Sequence, residues 1–83
     1  MLDKVFHRSA SDIEKRINFS MTAKKPVTLQ YIPATGEPIL LAKETTNFRG
    51  VIDVDKEIDT IQCRITGENI KGKKNTIKLE INY

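Results

Sequence analysis

Along residues 60–66, and again along 76–83, apolar and polar side chains alternate without a break. Ile61, Cys63 and Ile65 share one side of the first run, with Thr60, Gln62, Arg64 and Thr66 on the other. In the second run Ile77, Leu79, Ile81 and Tyr83 stand opposite Thr76, Lys78, Glu80 and Asn82. Successive side chains of an extended strand point to opposite faces, so both runs describe strands that are dry on one face and wet on the other. That is the pattern of an antiparallel sheet with one solvated face.

The same period begins earlier, after Pro26. Val27, Leu29 and Tyr31 alternate with Thr28, Gln30 and Ile32. Residues 33–38 (Pro33, Ala34, Thr35, Gly36, Glu37, Pro38) carry turn chemistry. Ile39, Leu40, Leu41 and Ala42 are continuously apolar, as expected of a strand covered on both faces. Residues 48–54 read as a further strand in which Gly50 marks a bulge or a close approach, and 55–59 form a polar connection. Before Pro26 the pattern differs. Ser11 and Glu14 match a capping box, and Ala10, Ile13 and Ile17 fall at helical spacing. A helix is expected within 10–18. The apolar stripe can be followed back through Leu2, Val5 and Phe6, but a short strand over 4–8 fits residues 1–9 as well. Pro26 marks the boundary, because the residue before a proline avoids the helical region. The expected fold is therefore α+β and mostly β. One short N-terminal helix precedes about five antiparallel strands in a small barrel or sandwich. Residues 1–83 make a single domain, with an N-terminal helical or arm segment (1–25) and a β core (26–83).

Size limits what such a chain can do. With 83 residues it buries only about 60–65% of the surface its unfolded form exposes, enough for one modest core. The single cysteine, Cys63, rules out an intramolecular disulfide and points to a reducing, cytoplasmic setting. The first residues lack the apolar stretch of a secretory signal. No run approaches the roughly 18 apolar residues of a membrane helix. The size and character suit a phage or mobile-element protein.

One motif demands a decision. Residues 67–74 read G-x-x-x-x-G-K-K, one residue short of the phosphate-cradling loop that ends in Lys and Ser or Thr. That loop works by joining a strand to a helix, with the hydroxyl on magnesium. Here Lys74 occupies the hydroxyl position, and the residues that follow have the period of a strand. We read the segment as a solvated hairpin connection. Its Lys71, Lys73 and Lys74 remain candidates for a phosphate backbone, with Lys24, Lys25 and Lys78 as reinforcement if they lie nearby.

The remaining candidates are weaker. Asp53, Asp55, Glu57 and Asp59 sit two apart, but a calcium loop needs Gly where Ile58 stands and Glu where Arg64 stands. The row is read as a wet β-connection, partly neutralised by Lys56 and Arg64. His7 and Cys63 are each the only residue of their kind, too few for zinc. Cys63, between Ile61 and Ile65, is expected to be an inward-facing small hydrophobe. No catalytic residue, metal or cofactor is indicated.

Charge is segregated. Residues 1–25 hold six Lys/Arg against three Asp/Glu, residues 26–59 three against six, and residues 60–83 five against two. Basic ends and an acidic middle suit pairing between copies or with a partner. The last strand, running to Tyr83, is expected at a sheet edge. Lys78, Tyr83, Asp53 and Asp55 are the interface candidates. The expected function is a small non-enzymatic protein-interaction or assembly module, partnered by itself or another protein. The alternative is a nucleic-acid-binding barrel using the basic tip. Neither a membrane nor a small-molecule substrate is indicated.

Overall fold

The computed structural model describes residues 2–7, 16–55, 58–67 and 75–82. These form five antiparallel strands in one open sheet: β1 (Leu2–His7), β2 (Arg16–Ile32), β3 (Ile39–Asp53), β4 (Thr60–Gly67) and β5 (Ile77–Asn82). Side by side they run β1-β4-β2-β3, and β5 also pairs with β2. β2 is the centre. β3 flanks one side of it along its length, while β4 and β5 share the other side.

Seventeen residues of straight strand would span about 56 Å at ~3.3 Å per residue. The whole molecule is 38 Å in its longest dimension, so β2 must bend. It does so at residues 23–26, where the ladder to β3 loses register between Thr22 and Val27. Pro26, which supplies no backbone N–H, lies inside the strand rather than at its boundary. The chain on both sides answers the bend. Beyond Thr45, two residues of β3, Lys43 and Glu44, face Thr28 alone. Glu44 takes a φ of +47° and donates its N–H to Thr28 Oγ1 at 3.2 Å. This is a β-bulge, which increases local twist.

The bend spans an even number of residues, so one face of β2 stays inside throughout. Ile17, Phe19, Met21, Val27, Leu29 and Tyr31 are all buried. They join Ile61, Cys63 and Ile65 of β4, Leu79 of β5, Ala42 and Val54 in one core, with Phe48 and Ile52 packed against it. These side chains form a single core on one face of the sheet. Gly50 shows why a small residue belongs in β3. A Cβ there would meet the Phe48 ring, which lies across Gly50 opposite Phe19. The ladder is in register at this point, so the glycine serves a close approach and not a bulge.

Several expectations are corrected. The described residues contain no helix. Residues 16–18, placed in a helix by their spacing, open β2, and residues 10–15 lie outside the described residues. Ile17 is apolar because it begins the buried face of a strand. Of the two readings of residues 1–9, the strand is the one found, as β1. Residues 39–42 and 48–53 belong to one strand instead of two, Val54 lies just beyond its end, and the apolar run is not covered on both faces: Ile39 and Leu40 are 48% and 55% exposed. A ladder closing the sheet into a barrel is absent among the described residues.

Candidate functional site: the bend and the open edges

β4 and β5 do not pair with each other among the described residues. Both run antiparallel to β2, with Gly67 opposite Val27 and Ile77 opposite Ala23. They lie end to end as two halves of one interrupted strand. Residues 68–74 lie outside the described residues, but β4 and β5 pair with β2 and not with each other, so the hairpin expectation is corrected. Gly67 and Asn75, on either side of that segment, both lie beside the bend of β2. Asn75 fixes the point of return. Its side chain accepts the Lys25 N–H at Oδ1 (2.9 Å) and donates from Nδ2 to the Lys25 carbonyl (3.3 Å), while Lys24 N–H donates to the Thr76 carbonyl (3.2 Å). Asn75 is 4% exposed, so its amide completes a ladder that neither β4 nor β5 reaches.

Lys24 and Lys25 are thus exposed beside the point where the basic segment joins the sheet. Lys71, Lys73 and Lys74 lie outside the described residues. Beneath Lys25 a shallow recess is lined by Pro26, Val27, Thr28, Glu44, Thr66 and Gly67. Lys78 is the second residue of β5, exposed and paired with Glu80 at 3.1 Å. No strand–loop–helix arrangement is present, because β5 follows the segment.

The acidic row is not gathered into a site. Asp53 ends β3 opposite Arg16, the Asp55 carbonyl accepts the Ile58 N–H at 2.9 Å, and Asp59 accepts the Thr60 hydroxyl at 3.2 Å. Glu57 and Lys56 lie outside the described residues. Among the described residues no group of three His, Cys, Asp or Glu is placed to share a metal ion. Arg64, expected to neutralise this row, instead grips Asp3 of β1 through two hydrogen bonds of 3.0 and 3.4 Å. That bond holds the Asp3 carboxyl below its ordinary range and raises Arg64.

Cys63 and His7 are on opposite faces. Cys63 is fully buried opposite Lys4, and burial pushes its thiol up to about 12. His7 is exposed opposite Thr60. Such a thiol is a poor nucleophile, since the thiolate is the reactive form.

The open edges are the other candidate. Among the described residues β1, β3 and β5 each pair on one side only. β1 and β5 are six residues long. β1 carries Lys4 on its core-facing side, a charge that discourages pairing. Tyr83, the expected edge residue, lies outside the described residues, and β5 ends at Asn82. β3 is different. It presents fifteen residues, including the exposed Ile39, Leu40 and Val51. Sequence reading missed this edge because it divided the strand in two; the exposure of residues 39–42 depends on which neighbours fail to cover them. No family model, characterised protein or solved structure matches this chain. No helix among the described residues is long and apolar enough to cross a membrane.

Proposed function

We propose that this chain is a non-enzymatic interaction module that joins to a protein partner by extending its sheet at β3. The observation that carries this reading is the length of β3 without a neighbour on its outer side among the described residues, combined with three exposed large apolar side chains. An edge of this kind offers a row of backbone donors and acceptors that another extended segment satisfies, while alternate side chains supply selectivity. Residues 39–42 carry no charge, and the exposed Val51 would add apolar burial to the pairing. The test is amide hydrogen exchange at rising protein concentration, or with a candidate partner. Outward-facing amides of β3 should become protected upon association. Association that leaves β3 exchange unchanged would place the interface elsewhere and end this reading.

A second reading is favoured by one observation: Lys24 and Lys25 flank the point where the segment bearing Lys71, Lys73 and Lys74 rejoins the sheet. It assigns the bend to a nucleic-acid backbone. Tyr31 and Phe48 face the core, so they offer no stacking platform for bases, and we rank this reading second. Oligonucleotide binding with a log–log salt slope of about −0.9 per phosphate contact on duplex DNA would support it. No binding at low salt would remove it.

A further inference from the structure

We propose that the partner of β3 is a second copy of the chain, paired antiparallel about a two-fold axis through Val51. This rests on the sheet-edge reading above and specifies its register. From residue 47 to the end of β3 the strand is regular. Arg49, Val51 and Asp53 face outward and are exposed, whereas Phe48, Gly50 and Ile52 face the core and are half-buried. Directly opposed residues in an antiparallel pair share a face, and a one-residue slip sends every side chain to the wrong side. Two copies of β3 can therefore match their faces only if the two-fold axis passes through a residue.

Charge then selects among these registers. Centring on Arg49 sets Arg49 against itself, and centring on Asp53 sets Asp53 against itself. Like charges directly opposite are unfavourable. Centring on Gly50 leaves Arg49 opposite the partner's Val51. Centring on Ile52 leaves Asp53 opposite the partner's Val51 and runs past the end of the strand. Centring on Val51 places Arg49 opposite the partner's Asp53, Asp53 opposite the partner's Arg49, and the two Val51 side chains against each other. Ile52 falls opposite the partner's Gly50 on the core side. This register pairs residues 49–53 of the two copies, clear of the bulge at Lys43 and Glu44, and leaves residues 39–42 outside the pairing. The series Arg49, Val51, Asp53 is self-complementary under a two-fold rotation, as an isologous interface requires. It covers Val51, which is 52% exposed. It also supplies ion-pair partners to Arg49 and Asp53, neither of which forms an ion pair within the chain among the described residues.

The test uses charge reversal and mixing, read by light scattering at low salt. The wild-type chain should be dimeric. Arg49→Asp alone and Asp53→Arg alone should each be monomeric, because the symmetry turns one substitution into two repulsive pairs. An equimolar mixture of the two variants should regain the dimer mass, since each supplies the charge that the other lacks. The double variant Arg49→Asp/Asp53→Arg should dimerise unaided. Recovery upon mixing also shows that both variants fold. A wild-type chain that remains monomeric overturns the proposal. One that associates but ignores both reversals overturns this register while leaving the sheet-edge reading, which is judged by β3 exchange, standing.

Discussion

Cys63 shows how far a single residue can be read. Its place between Ile61 and Ile65 on the dry side of an alternating run predicts burial, and it is fully buried. Desolvation then raises its thiol from an ordinary 9.0 to about 12, because a thiolate in apolar surroundings loses its hydration. The folded state therefore holds the proton to higher pH than the unfolded state does. The stability this contributes is complete below about pH 9 and is lost as pH rises toward 12. Urea midpoints measured through that window should fall for the wild-type chain and fall less for Cys63→Ala. A Cys63→Ala chain with the same alkaline loss would assign the effect to other groups. Arg64, one position on, was legible only in part. Alternation places it on the wet face, but its partner, Asp3, comes from the opposite end of the chain. No local pattern connects them.

At the scale of the element, β2 is the instructive case. Its two halves have the same buried face, yet the sequence between them resembles a boundary: two lysines and a proline. A strand survives there because the groups exposed by the bend find partners. Asn75 satisfies both the N–H and the C=O of Lys25. Asn75→Ala should leave those partly buried groups unpaired, costing about 1–3 kcal/mol, measurable as a lowered urea midpoint with the slope unchanged. A change within a few tenths of a kcal/mol would mean that water replaces the amide. Asn75 carried no signal in the sequence, where it reads as one more polar residue after a basic run. Of the residues at helical spacing, Ala10 and Ile13 lie outside the described residues, and Ile17 lies in a strand. Ile17 is apolar because it is the first buried position of β2.

At the scale of the molecule, the sheet joins distant parts of the chain: β1 pairs with β4, so Leu2 meets Ile65. Loop closure must precede such contacts, which slows folding. Refolding followed by tyrosine fluorescence should be on the order of milliseconds to seconds, the range of folds dominated by non-local strand pairs. A microsecond phase accounting for the full amplitude would contradict this topology. The same architecture is the basis for proposing a strand edge as the surface of association. Among the described residues the sheet gathers its apolar side chains in one core and leaves β1, β3 and β5 each paired on one side only.

The alternation of side chains determined, by itself, that this is a β protein and which face of 27–32, 60–66 and 77–82 lies inside. That much is local, because successive residues of an extended chain point to opposite sides whatever lies next to them. The tertiary structure alone decided that β2 continues through Pro26, that β4 and β5 follow one another along the same side of it, and that β3 has a neighbour on one side only among the described residues. Those are facts about neighbours. Backbone hydrogen bonds are nearly indifferent to sequence, so the choice of neighbour falls to packing and to residues such as Asn75 and Glu44 that act only once the sheet has bent.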